Sequence, residues 1–254
     1  MTDLRFHGIC GLPEIVPGMD IGVMILNRLN ESFLKDGDIL VVASKIISKV
    51  ENCFRRRDSI HPTEKALQLA ELVGREPEYI QLVLEHSRRI VQLGKGVLIT
   101  QTHHGFVLAN AGVDSSNTGR VQEYLTLPPD PDCSAERLRE RLWELSHKKI
   151  GIIISDTFGR AWRQGQTDVA IGCSGLNAFI DYRGKADRGG MELKHSRLCC
   201  ADALAGAAGL LMGKSDGIPV VHVRGFTPVG DGNGAGIPYP EEQDMFLKPD
   251  TQEH

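Results

Sequence analysis

The chain contains no apolar run approaching the roughly 20 residues that a membrane-crossing helix needs. Its first residues lack the basic start, long apolar stretch and small-residue cleavage site of a secretory leader. These absences set the expectation of a cytoplasmic protein with no membrane partner. Cysteine is sparse: of six, Cys10, Cys53, Cys133 and Cys173 are scattered and Cys199 and Cys200 are adjacent. No Cys-x-x-Cys occurs, so neither a zinc site nor a disulfide framework is expected, and the thiols read as reduced, buried, small apolar side chains. An excess of positive charge is also missing. The net charge is -4, which gives no reason to expect a nucleic acid partner. No internal repeat or low-complexity block occurs, and no Ser-His-Asp or Cys-His spacing points to a covalent nucleophile. His103 and His104 are neighbours that would face opposite ways on a strand, so they read as structural or surface residues.

What is present suits a globular fold. The 254 residues are 41% hydrophobic and 24% charged, enough to bury a core of one large or two small domains. Apolar spacing predicts helices over 20–33 (Asp20 as cap), 63–73 (Gly74 as stop), 78–88 and 196–212 (Gly213 as stop), and one carrying Leu138, Leu142 and Leu145 with Ser134 as its cap. Strands are predicted over 39–42, 97–102, 106–110, 150–154 and 219–223, with a polar turn at Ser155, Asp156 and Thr157. The order has no strict β-α-β rhythm. It reads as α+β, with mixed sheets, packed helices and two subdomains in residues 1–226. Residues 227–254 read as a glycine-rich loop, a candidate lid, and a tail.

Three patterns carry chemistry. Gly213, Lys214 and Ser215 resemble the end of a phosphate-binding P-loop, but Ala208 stands where the pattern needs glycine, and the segment closes a helix instead of opening one. A plain helix stop is the simpler reading, although the backbone of 213–219 can still present N–H groups to a phosphate. Asp114 and Asp156 each follow a predicted strand, the placement of a rigid carboxylate that can hold a hard cation, with Thr157 adding a hydroxyl or carbonyl. Turn capping explains the same carboxylates without a metal. Lys45 and Lys49, four residues apart, and Arg160, Arg163, Arg183 and Arg188 in a glycine-rich stretch form a positive set suited to a polyphosphate, or a set of solvated surface charges.

Several stretches in series bear a more specific stamp. They are GLPEI at 11–15, DGDILVVASK at 36–45, ISK at 47–49, NAGVD at 110–114 with Ser116 and Asn117, SDTFGR at 155–160, GQTDVAIG at 165–172, and Met212 through Pro219. In this order, over about 8–226, they resemble the coenzyme F420-0:L-glutamate ligase family. The resemblance implies an α+β fold with two intertwined subdomains, a homodimer whose subunits both line each site, and GTP-dependent addition of L-glutamate to F420-0. It implies divalent metal, magnesium or manganese, at Asp114, Asp156 and Thr157, with potassium as a further candidate. By the same resemblance Leu12, Pro13, Glu14, Ile15, Ser44, Lys45, Lys49, Asn117, Gly213, Lys214, Ser215, Asp216, Gly217, Ile218 and Pro219 contact the nucleotide. Asp114, Asp156 and Lys45 are the expected catalytic groups.

The acceptor is anionic and planar, so Arg160, Trp162, Tyr182 and Arg183 are candidates to pair with it or stack on it. Trp162 also reads as a core or interface residue. Some bacterial relatives carry a nitroreductase-like domain after the ligase domain, and none is expected here. The tail after Phe226 matches no recognised pattern. Two other functions fit the motifs: a nucleotide- or deazaflavin-binding protein without ligation, and a ligase for a different acceptor.

Overall fold

The computed structural model describes residues 3–29, 33–115, 122–226, 230–244 and 246. The chain divides into two compact units, one made of 1–53 and 128–237, the other of 54–127 and 238–254. Helices and mixed sheets share the chain, so the α+β expectation holds.

In the first unit, β1 (Arg5–Gly8), β2 (Ile39–Ala43), β8 (Gly151–Arg160), β9 (Arg163–Ser174) and β12 (Val220–Arg224) form one sheet in the order β1-β12-β2-β8-β9. Only β2 and β8 run parallel; the other pairs are antiparallel. Both faces of the central strands are buried, which is why ILVV at 39–42 and the isoleucines at 152–154 read as continuous apolar runs. Helix α6 (Cys200–Met212) covers one face with Ala201, Leu204, Ala205 and Ala208 against Ile39, Val41, Ile153 and Ala170. Helices α1 (Ile21–Leu29) and α5 (Pro131–Ser146) pack on each other in the same unit, joined by Arg141 Nε donating to Asp20 Oδ2 at 2.8 Å. Asp20 also caps α1 as expected, accepting from Val23 N at 3.1 Å. A short helix, α2 (Ser44–Val50), follows β2 without a break, and β10 (Phe179–Asp181) pairs with β11 (Arg197–Cys199).

In the second unit, α3 (Glu64–Val73) and α4 (Pro77–Glu85) share a core of Leu69, Val73, Tyr79, Ile80 and Leu82 with Leu98 of the sheet β4 (Ser87–Gly94), β5 (Val97–Thr102), β6 (Val107–Ala109). Strands β3 (Phe54–Arg56) and β7 (Glu123–Leu125) form a separate pair. Thr63 caps α3 and Gly74, at φ +75°, ends it.

Several sequence expectations give way. Ser155, Asp156 and Thr157 are not a turn: β8 runs through them because β9, a polar and glycine-bearing strand that apolar spacing does not reveal, pairs with it as far as Arg160. The cap of α5 is Asp130, which accepts from Cys133 N at 2.9 Å with Pro131 in the first turn, while Ser134 lies inside the helix. Helix α4 stops at Glu85 because its next residues enter β4. All six cysteines are free thiols, but Cys10 and Cys133 are exposed, so burial applies to Cys173 and Cys200, with Cys53 and Cys199 half-buried. Of the expected lid, 227–229 lie outside the described residues. The following stretch is tied down, with Gly234 N donating to Asp132 Oδ1 at 2.9 Å and Asn233 bridged to Ser174.

Candidate functional site

The first unit gathers most of the predicted nucleotide residues around the end of β2. Ala43 N donates to Pro219 O at 2.9 Å, so the last residue of β2 is fastened to the close of the 213–219 loop. Ile9 N donates to Val220 O at 2.8 Å, bringing the chain that leads into Leu12, Pro13, Glu14 and Ile15 to the same edge. Ile218 packs on Gly8 so closely that a Cβ there would stand 2.9 Å from Ile218 Cγ2. Lys45 and Lys49 lie one helical turn apart on α2. The side chain of Lys49, only 7% exposed, pairs through its ammonium with the exposed carboxylate of Glu14, linking helix to loop. Gly213 ends α6 at φ +57°, the plain helix stop, and Asp216 folds back against it.

Asp156 enters from β8. Ser44 Oγ, at the start of α2, donates to its Oδ1 at 2.9 Å. Because β8 is extended here, successive side chains alternate between the faces of the sheet. The Thr157 hydroxyl therefore turns away from Asp156, toward α6, where it donates to Asp168 Oδ1 at 2.6 Å and accepts from Lys214 Nζ at 2.6 Å. Asp168 was not among the residues singled out from the sequence. The only signal was its place in the GQTDVAIG stretch, because β9 itself was not foreseen.

Asp114 belongs to the second unit. Its backbone N–H and carbonyl exchange hydrogen bonds with Leu125 at 2.8 and 2.9 Å. Directly before it, Asn110, Ala111 and Gly112 all have positive φ, at 52°, 52° and 71°. Alanine in that region is strained, and such strain concentrates where a side chain must be aimed. Asn110 stabilises the bend by accepting from Leu98 N through Oδ1 at 2.9 Å. Asn117 lies outside the described residues.

The substrate candidates stand at the surface. Arg160 donates to Gln164 O at 3.1 Å within the β8–β9 turn. Trp162 in that turn is 82% exposed at φ +57°, so the core reading of this residue fails. Arg183 forks onto Asp181, with Nε 2.9 Å from Oδ1, and holds that carboxyl well below the usual carboxylate range.

Among the described residues no group of three or more His, Cys, Asp or Glu is gathered to hold a metal ion. The groups present at Asp156 and Asp114 are oxygens. Magnesium is commonly held by one or two carboxylates with phosphate oxygens and water completing the shell, so each of these carboxylates, taken within its own unit, is of the kind that suits a hard cation. No helix among the described residues is long and apolar enough to cross a membrane.

The model of the F420-0:gamma-glutamyl ligase family matches residues 10–225. Proteins named coenzyme F420:L-glutamate ligase are similar over most of the chain. The one from Methanocaldococcus jannaschii is 44% identical over 84% of this chain and 86% of its own length. That from Methanothermobacter thermautotrophicus is 40% identical over 94% and 97%, and that from Archaeoglobus fulgidus 44% identical over 94% of each. With the motifs, the α+β architecture and these relatives in agreement, the chain belongs to the F420-0:gamma-glutamyl ligase family.

Proposed function

We propose that this protein joins L-glutamate to coenzyme F420-0 in F420 biosynthesis, driven by GTP. The observation that carries the reading is the Asp156 carboxylate, held by Ser44 where β2, α2 and the neighbouring strand β8 meet, with Lys45 and Lys49 on the same short helix and the 213–219 loop fastened to the strand end.

Forming an amide from a carboxylate and an amine is uphill in water, so the acceptor carboxylate must first be activated. Its oxygen attacks the γ-phosphorus of GTP, the bond from that phosphorus to the bridging oxygen breaks, and GDP leaves. The glutamate amine then attacks the acyl carbon of the resulting acyl phosphate, and inorganic phosphate departs with the C–O electron pair. Such a reaction asks the protein chiefly for alignment and charge neutralisation. Lys45 and Lys49 supply fixed positive charge to the phosphates, and the backbone N–H groups of Lys214, Ser215, Asp216 and Gly217 line the loop that Gly213 opens, its own N–H closing α6 onto Gly209 O, and that Ile218 and Pro219 close. Leu12, Pro13, Glu14, Ile15, Ser44 and Asn117 complete the nucleotide contacts in this reading. Asp156 and Asp114 are the proposed ligands of magnesium or manganese, which would neutralise charge on the phosphates when bound; the Thr157 hydroxyl, turned to the opposite face of β8 and engaged by Asp168 and Lys214, does not join them. Potassium and a homodimer belong to the same reading. Arg160, Trp162 and Arg183 are its contacts for the anionic, planar acceptor.

Incubating the purified chain with F420-0, glutamate, GTP and manganese, followed by mass spectrometry, is expected to give an acceptor one glutamyl residue heavier, together with GDP. Further glutamyl increments would report chain extension, and hydroxylamine trapping would report the acyl phosphate. Unchanged acceptor in the presence of bound nucleotide would replace the ligase by a binding protein. Ligation only to another acid would replace the acceptor.

A further inference from the structure

The face of the β8–β9 hairpin turned toward α6 carries a charged group that the nucleotide reading leaves unexplained. Thr157 Oγ1 donates to Asp168 Oδ1 at 2.6 Å, and its lone pair accepts from Lys214 Nζ, also at 2.6 Å. The hydroxyl can do both only in one sense, so the chain of donors runs from Lys214 through Thr157 to Asp168. The ammonium is also 3.5 Å from Asp168 Oδ1. Burial is sharply unequal along this chain: the Asp168 side chain is 10% exposed and that of Lys214 is 67% exposed.

Helix α6 is shaped around the carboxylate. A Cβ on Gly209 would stand 2.7 Å from Asp168 Oδ2, and one on Gly206 would stand 3.3 Å from Thr167 Oγ1. A carboxylate placed this deep against a helix is costly unless paired and hydrogen-bonded, and the partners the fold supplies are one hydroxyl and one ammonium. A surface lysine needs no such support. Left in solvent it samples many rotamers; here its head is tethered at the first turn of the 213–219 loop.

We propose that Asp168 is a positioning residue for the nucleotide: acting through the Thr157 hydroxyl, its carboxylate holds the Lys214 ammonium where its remaining N–H meets a phosphate oxygen. This rests on the nucleotide assignment above. Charge, more than shape, carries the effect, because asparagine at 168 keeps an oxygen for Thr157 but gives up the pull on the ammonium.

Calorimetric titration of the full chain with a non-hydrolysable GTP analogue and magnesium tests this without turnover. D168N and K214A are each expected to weaken binding about tenfold, and D168N/K214A no more than either alone, since both remove one interaction. T157V is expected to match K214A while T157S binds as the unsubstituted protein does, a pair that serves if D168N fails to fold. Wild-type affinity in D168N or in K214A, or losses that multiply in the double variant, overturns the proposal. Failure of the unsubstituted protein to bind the analogue is a different result, which removes the nucleotide assignment itself and this proposal with it.

Discussion

Ser44 Oγ and Asp156 Oδ1 meet at 2.9 Å although 112 residues separate them in the chain. The bond ties the first residue of α2 to the middle of β8, and it keeps the carboxylate directed rather than freely rotating. Asparagine at 156 can still accept from Ser44, so D156N is expected to fold with a melting temperature near that of the unsubstituted protein. Its turnover should fall about a hundredfold, equivalent to about 3 kcal/mol of lost transition-state stabilisation. Initial rates beside scanning calorimetry check both halves. Wild-type turnover would remove Asp156 from the metal site.

Metal dependence is tested separately from the ligands. Chelation with EDTA is expected to abolish product formation, and magnesium or manganese to restore it. D114N and D156N should each need more metal for half-maximal rate, as expected of a shell in which each carboxylate supplies direct ligation. Ligation that continues in excess chelator would exclude a divalent metal from the reaction.

Lys49 is buried along its stem while its partner Glu14 is largely exposed. K49M keeps the apolar stem and removes the charge, so packing survives. Nucleotide KM is expected to rise at least tenfold with a small change in melting temperature. A KM within twofold of the unsubstituted value would show that Lys49 serves only to hold the 12–15 loop.

The buried set Asp38, His222 and Arg224 predicts how stability follows pH. Burial alone would raise the Asp38 carboxyl, but the forked hydrogen bonds from Arg224, at 2.8 and 2.6 Å, the His222 ring nitrogen 2.8 Å away and the hydrogen bond from Lys35 N outweigh it and hold it below 3.8. Burial pushes His222 below its ordinary 6.5, against the pull of Asp38. Both shifts are downward, so both contributions are present above the unfolded values and are lost as pH falls through the folded ones. The melting temperature should decline as pH drops below 6.5 and decline again below 3.8. His86, also pushed down by burial, adds to the first step, so H222Q should shrink that step without removing it. A first step of unchanged size in H222Q would clear His222 of the effect.

Gly172 tests the packing of α5 on the sheet. A Cβ there would stand 2.5 Å from the Pro131 carbonyl carbon, and backbone cannot move aside as a flexible side chain does. G172A is expected to lose about 1–3 kcal/mol, the usual cost of overpacking, read by urea unfolding. Wild-type stability would mean that α5 can shift on its strand.

The sequence made legible what apolar spacing encodes. Strand β2, strand β5 and helix α3 stand within a residue or so of their predicted ranges, the strands because they begin on short continuous apolar runs and α3 because Ala66, Leu69, Ala70 and Val73 are buried at helical spacing. β9 was missed because its outer half, RQGQTD, is polar and its inner half includes Gly172, so no period stands out. That omission turned the middle of β8 into a supposed turn and placed the Asp156 and Thr157 side chains together, whereas an extended strand sends them to opposite faces. Asp168 was hidden for the same reason: its partners Thr157 and Lys214 are neighbours only through strand pairing and the close approach of α6. Around β2 the predicted positions did gather, since short links from β2 to α2 and from the 213–219 loop to β12 leave them little freedom.

The second unit interrupts the first, which the chain leaves after Cys53 and re-enters at Pro128. The partners of β2 are β8, from residue 151, and β12, from residue 220. As the protein emerges from the ribosome, β2 must therefore wait with unpaired edges through most of translation, while the locally connected hairpins and helices of 54–127 are already able to close. Nonlocal pairing of this kind is slow and exposes apolar strand to wrong partners, so the ILVV segment at 39–42 is where a chaperone would be expected to bind the nascent chain.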